Sequence, residues 1–113
     1  MHEFGIASEI VSVAVSEGQR NGAARVTGVT VRVGVLRGIV PESLLLFFGH
    51  ASKGTVAESA LLEIEEEPVS IVCGTCGETP AYSLTLSCPR CGNGEVQVRG
   101  GDSLRIVSVD LDV

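Results

Sequence analysis

Two Cys-x-x-Cys pairs constrain this chain more than any other feature. Cys73-Gly-Thr-Cys76-Gly and Cys88-Pro-Arg-Cys91-Gly stand eleven residues apart in a sequence of 113. The two-residue spacer turns the backbone tightly enough for both sulfurs to converge while main-chain N–H groups point at them, and the following glycine accepts the positive φ that such a turn demands. Four thiolates at about 2.3 Å around Zn²⁺ close a tetrahedral shell with no open position, which is the structural kind of zinc site. The alternative of two disulfides requires an oxidising compartment. The N-terminus argues against one: MHEFGIASEIV has no basic residue before Arg20, the wrong order for a signal peptide. The longest apolar run, around Leu44 to Phe48, is far shorter than the roughly 20 residues of a membrane span. A cytoplasmic protein without a membrane segment is expected. A rubredoxin-like iron centre uses the same donors, but neither the spacing nor the near absence of aromatic residues around the cysteines favours it.

Zinc ribbons often bind nucleic acid, and here charge decides against that. The chain carries 8 Lys and Arg against 14 Asp and Glu, a net charge of −6, whereas nucleic acid and anionic membranes reward dense positive charge. Between Val69 and Gly101, Glu78 and Glu95 balance Arg90 and Arg99, so four thiolates and one Zn²⁺ leave the module negative. Tyr82 is its single aromatic side chain, and single-strand binders combine several with a basic groove.

The rest of the chain reads as one small domain interrupted by this module. Ile6, Ile10, Val13 and Ala14 recur at helical spacing from His2 to about Glu17, predicting an amphipathic helix that ends in the Gly18 to Gly22 region. Residues 26–36 alternate, with Val29, Val31, Val33 and Val35 on one face, as a half-buried strand requires. Pro41-Glu42 marks the start of a second helix, expected to bury Leu44, Leu45, Phe48 and Ala51. Residues 60–66 form a strand closed by Pro68, with the Glu65-Glu66-Glu67 run read as its solvated end. Residues 103–112 form a third strand whose apolar register runs Leu104, Ile106 and then Val107, Val109 and Leu111, a one-residue slip such as a β-bulge makes. Two strands need this third partner for a stable sheet, so the expected fold class is α+β: two helices on a three-stranded sheet with an inserted four-cysteine zinc-ribbon module. The domains are then 1–68 plus 102–113, and 69–101, the latter holding little besides its cysteines to build a core.

No catalytic arrangement can be assembled. His2 and His50 are the only histidines, all four cysteines are committed to the metal, and no G-x-x-x-x-G-K-[ST] loop occurs. His2 does adjoin the free amine of Met1. A terminal amine, a deprotonated amide and an imidazole on neighbouring residues chelate in one plane, a donor set that suits Ni(II) or Cu(II), and Glu3 can supply or steer a fourth ligand. Taken alone, a histidine at position 2 is more often a surface residue, and His50 more often a partner of its helix dipole.

Met1-His2-Glu3 at the head of a helix, the segment from Gly34 to Leu44 through Pro41, the run from Lys53 to Glu66 and the paired knuckles together resemble the HypA/HybF family, the nickel metallochaperones of [NiFe]-hydrogenase maturation. The resemblance covers essentially the whole chain in the family's order. It implies a transferred Ni(II) bound at the N-terminus on His2, a structural Zn(II) on Cys73, Cys76, Cys88 and Cys91, and delivery of nickel to a hydrogenase large subunit with a maturation GTPase as partner. Urease is a second client class, and a homodimer is compatible with it. The rival readings from the residues are a zinc-ribbon adaptor that transfers no metal and an iron electron carrier.

Overall fold

The computed structural model describes residues 3–113; the expected nickel ligands Met1 and His2 lie outside them. The elements run α1 (Glu3–Arg20), β1 (Arg25–Gly34), a 3₁₀ turn (Val35–Arg37), α2 (Pro41–Ala51), β2 (Leu61–Glu67), β3 (Val69–Cys73), β4 (Gly77–Ala81), β5 (Val96–Gly100) and β6 (Leu104–Asp112). Two three-stranded sheets result, ordered β2-β1-β6 and β4-β3-β5. The chain divides into two compact units, each discontinuous in sequence. One comprises the described residues up to Val31 with Ile39–Glu65 and Arg105–Val113, and the other Arg32–Gly38 with Glu66–Leu104.

In the first unit α1 packs on α2. Its buried stripe is Ala7, Ile10, Val11, Ala14 and Gly18, at spacings of three and four. This corrects the expected face. Ile6 is half-buried and Val13 is exposed, because the stripe is centred one position later, on two alanines that allow close approach. The helix ends in a Schellman motif: Gly22 takes φ +64°, its N–H donates to Gln19, and the Ala23 N–H donates to the Gly18 carbonyl, satisfying carbonyls that the last turn would otherwise leave open. Helix α2 starts at Pro41 with Glu42 in its first turn. It buries Leu44 and Phe48, and Val26, Val29 and Val31 of β1 are buried in the same unit, each large side chain contributing about 1.5–3 kcal/mol. Leu45 is 46% exposed, so the second helix buries a narrower face than expected. In β6 the half-buried residues are Leu104, Ile106, Val109 and Leu111, with Val107 and Ser108 both exposed: the register slips by one residue as expected, but Val107, expected on the apolar face, turns to solvent because the extra residue falls at 107–108.

The second unit contains an antiparallel sheet that the sequence reading did not resolve. β3 is central, with Cys73 opposite Gly77 on β4 and Val96 on β5. Val69 and Ile71 are completely buried beneath it, so the module has a small apolar core after all. Gly34 and Gly101 meet backbone to backbone: a Cβ on Gly34 would overlap the Gly101 carbonyl, and one on Gly101, which sits at φ +77°, would collide with Val69. The Gly34 N–H donates to the Ser103 carbonyl at 2.7 Å and the Leu36 N–H to Gly101 at 2.7 Å.

Candidate metal centre

The first knuckle is the β3–β4 hairpin turn itself. Cys73 ends β3, Gly77 opens β4 at φ +77°, and Cys76 lies in the turn between them. A left-handed glycine after a three-residue loop matches the turn to the strands' twist. The second knuckle closes on its own hydrogen bonds: the Gly92 N–H donates to the Cys88 carbonyl at 2.8 Å, and the Cys88 N–H to the Asn93 carbonyl at 2.8 Å. Gly92 also takes φ +77°. The two turns bring all four Sγ atoms within 4.8 Å of one another.

The separations discriminate between bonding modes. Cys73 and Cys91 place their sulfurs 3.8 Å apart, far beyond a disulfide's roughly 2.05 Å and equal to the edge of about 3.8 Å of a tetrahedron built on metal–sulfur bonds of about 2.3 Å. Among the described residues these cysteines are the one group of three or more potential ligands brought together. Cys73 and Cys88 are buried, Cys76 is half-buried and Cys91 faces solvent.

Electrostatics prepare the site unequally. The backbone N–H groups of Cys76 and Thr75 point at Cys73 and hold its thiol down to about 6; those of Cys91 and Arg90 lower Cys88 in the same way. Cys76 is pushed up to about 12, first because it donates to the Cys91 sulfur and then because it is desolvated. Two thiolates are thus formed cheaply, and a cation must displace the remaining protons, so metal binding releases protons and weakens as pH falls. Asn93 Nδ2, 3.9 Å from the Cys73 sulfur, adds a side-chain donor behind the ligand. Its place two residues after Cys91 is the only sign of this in the sequence.

At the start of α1 the structure reaches one of the expected nickel residues. Glu3 Oε2 accepts a hydrogen bond from the Val40 N–H at 3.2 Å. Val40 is the N-cap of α2 and lacks a side-chain cap of its own, so Glu3 supplies one from α1. Phe4 meets Phe47 edge to face, with centroids 5.7 Å apart. His50 lies exposed in the last turn of α2.

Glu67 is a further residue that the sequence reading missed. It receives Ser103 Oγ at 2.8 Å, the Gly101 N–H at 3.3 Å and Arg32 Nε at 3.3 Å. Its carboxyl is held below the usual range, chiefly by the Ser103 hydrogen bond and further by Arg32 and the Gly101 N–H against a desolvation cost. The end of the glutamate run is therefore a joint in the second unit rather than a solvated strand end.

A family model described as hydrogenase/urease nickel incorporation, metallochaperone, hypA matches residues 1–111. The hydrogenase maturation factor HypA of Aquifex aeolicus is 37% identical over 114 residues, covering 100% of this chain and 99% of the relative. That of Chlorobaculum tepidum is 37% identical over 113 residues, covering 99% and 100%. The solution structure of the Ni metallochaperone HypA from Helicobacter pylori superposes with a TM-score of 0.67 over 99% of this chain and 98% of that one, at 22% identity, a likeness of fold. Among the described residues no helix is long and apolar enough to cross a membrane.

Proposed function

The chain belongs to the HypA family of nickel-incorporation metallochaperones for hydrogenase and urease, and from that membership we propose how it handles two metals. Ni(II), the cargo, is bound by the Met1 amine, an adjacent backbone amide nitrogen and the His2 imidazole. Zn²⁺ is the resident ion of Cys73, Cys76, Cys88 and Cys91, where it supplies a closed structural cross-link and no open position. Ligand type keeps the two apart, since soft thiolates hold the tetrahedral ion and nitrogen donors take the ion that prefers a plane.

The observation that carries the nickel half is the engagement of Glu3. Its carboxylate holds the first described residue of α1 to the Val40 N–H, which supports a role in steering the adjoining ligands. The positive end of α1's dipole opposes a bound cation, which suits a carrier that must release its cargo. The zinc half is supported by the 3.8 Å sulfur separation. In this reading residues 1–68 with 102–113 serve nickel and 69–101 serve zinc, and the protein catalyses no reaction of its own. A maturation GTPase as partner and a hydrogenase large subunit as recipient follow from the family resemblance, and the chain's lack of a phosphate loop is consistent with any nucleotide step lying on a partner.

Adding one residue before Met1 separates this chelate from an ordinary histidine site. The extension leaves the imidazole in place but breaks the ring, so nickel affinity should fall nearly as far as in His2→Ala, at least the roughly 10- to 100-fold that outer-shell changes alone cost. Glu3→Gln should do less harm and His50→Ala little. Binding should fail below about pH 6.5, where imidazole protonates. Calorimetric titration with nickel absorption spectra reads all of these, and unchanged affinity in the extended protein overturns the chelate. Elemental analysis should find one zinc that persists through nickel exchange.

A further inference from the structure

The sequence holds two asparagines, Asn21 and Asn93, and a glycine follows each of them. Asparagine is chemically labile. Before glycine it is most so, because the next backbone nitrogen can attack the side-chain amide carbon and no Cβ on that residue obstructs the approach. The fold treats the two pairs differently. Gly22 occupies the left-handed position that ends α1, at φ +64°, and its N–H donates to the Gln19 carbonyl at 3.2 Å. Asn21 is tied to the same turn, its Nδ2 donating to the Glu17 carbonyl at 2.8 Å. The helix cap accounts for that glycine. Gly94 has no such duty: its φ lies outside the left-handed region, a Cβ there would meet nothing within 4 Å, and its N–H donates to no group among the described residues. Asn93 and Gly94 are both exposed, between the second knuckle and β5. Asn93 Oδ1 accepts the Glu95 N–H at 3.0 Å, while Nδ2 donates to the Cys73 sulfur at 3.9 Å. The Oδ1 bond closes a turn that contains both the carbon to be attacked and the nitrogen that attacks it, and it sets a donor on the oxygen where negative charge develops.

We propose that Asn93-Gly94 is a self-modification site, at which the chain converts the side-chain donor behind Cys73 into a carboxylate and so loosens its own four-cysteine centre. The Gly94 nitrogen loses its proton and bonds to Asn93 Cγ; the Cγ–Nδ2 bond breaks, and Nδ2 takes up that proton and leaves as ammonia. A cyclic imide results. Water then adds to either imide carbonyl carbon, and the bond from that carbon to nitrogen breaks as a proton returns to the nitrogen. Opening at Cγ gives aspartate, and opening at the backbone carbon gives isoaspartate, with the main chain rerouted through the side chain. Either product removes the N–H donor beside the Cys73 sulfur and puts a negative oxygen near a thiolate, and groups in this position govern how tightly ligands hold a metal. Isoaspartate also adds a backbone carbon just where Asn93 accepts the Cys88 N–H at 2.8 Å. The effect on the metal rests on the reading of the four cysteines as a zinc site, whereas the reaction itself does not.

The full chain, aged at neutral and at mildly alkaline pH and then digested for mass spectrometry, tests this. The peptide with Asn93 should gain the mass that separates a carboxyl from an amide, and faster at the higher pH, because the attacking amide must lose its proton. The peptide with Asn21 should lag by about tenfold or more, since the hydrogen bonds of Asn21 and Gly22 must be released first. Gly94→Ala should slow the change at Asn93 to a similar degree while circular dichroism reports an intact fold, because the added methyl group obstructs only the attack. Asn93→Asp, which copies one product, should lower Zn²⁺ affinity, read by competition with a chromophoric chelator, by more than the roughly 10-fold expected for loss of the donor alone. An Asn93 peptide that keeps its mass, an Asn21 peptide that changes as fast, or an Asn93→Asp chain that binds Zn²⁺ as tightly as the parent each overturns the proposal. A parent chain that takes up no Zn²⁺ at all defeats the zinc reading instead, and the loosening with it.

Discussion

Glu67 and Gly101 carry more of this fold than their residue types suggest. In the folded chain the Glu67 carboxylate gathers Ser103, Gly101 and Arg32, and its pKa is lowered from the ordinary 4.5. A group whose folded pKa is depressed stabilises above its unfolded pKa and loses that contribution as pH falls through the folded value. Glu67→Gln should therefore lower the melting temperature at neutral pH, and the gap to the parent protein should close as both are taken below pH 4.5. A gap that stays constant with pH would mean that the carboxylate charge is not what matters. Nothing in the sequence separates Glu67 from Glu65 and Glu66, since its partners come from β1 and from the far side of the cysteine module. Gly101 is similarly hidden among glycines. Gly101→Ala adds a Cβ at φ +77° that collides with Val69, whereas Gly22→Ala meets open space at φ +64°. The second should cost about 1 kcal/mol for the left-handed conformation alone, and the first clearly more, as denaturant midpoints of the two variants would show.

At the level of elements, what the sequence reveals depends on how much apolar contrast each one carries. The valines of β1 and the Pro41-Glu42 start of α2 are legible because hydrophobic period and chain punctuation agree. The buried face of α1 is misplaced by one position because Ile6 and Val13 are larger than the alanines that actually meet the core. β4 escapes notice because Glu78 and Pro80 leave it no apolar face, and β5 because its alternation of Val96 and Val98 with Gln97 and Arg99 is only four residues long; β4 tolerates Pro80 only as an edge strand. In β3, by contrast, Val69, Ile71 and Cys73 alternate cleanly into the interior. The four-cysteine site is legible in full because two-residue spacers leave the sulfurs no other arrangement. These strands depend on that site. Val69 and Ile71, worth about 1.5–3 kcal/mol each, cannot offset the ordering of the whole segment at about 1 kcal/mol or more per residue. Cys73→Ser or Cys88→Ser should release the metal and abolish hydrogen-exchange protection in β3, β4 and β5 while amides around Val31 and Leu44 stay protected. Asn93→Ala, which removes only the donor behind Cys73, should leave the sheet formed and lower zinc affinity about 10-fold. Persistent protection of β3 in a zinc-free cysteine variant would show that the apolar core suffices.

For the whole molecule the decisive fact is the path of the chain. It passes from one compact unit to the other within β1, within β2 and at the start of β6: residues 32–34, 66–67 and 104 group with the cysteine module, while the remainders of the same strands group with the helices. A strand cannot lose order at one end without shortening the ladder available to the other, so order in the metal module is linked to order in the sheet through covalent continuity. β6 is the most exposed to this effect, because it is an edge strand and enters from Gly100-Gly101, two residues at positive φ held in place by Val69, Gly34 and Glu67. If zinc is the ion of the four cysteines, stripping it should therefore fray β6 from Leu104 onward, loosening the sheet of the unit to which Glu3 and Val40 also belong. If nickel is held at the head of α1, its affinity should fall on zinc removal by about fivefold or more, the lower range of coupling between linked sites, and by reciprocity nickel should slow zinc loss to a chelator. Paired calorimetric titrations of zinc-loaded and zinc-depleted protein measure the first effect, and chelator kinetics with and without nickel the second. Equal nickel affinities would mean that β6 holds its place through its bonds to β1 alone, such as the Thr27 hydroxyl donated to the Asp110 carbonyl at 3.2 Å, and that the two metals are carried independently.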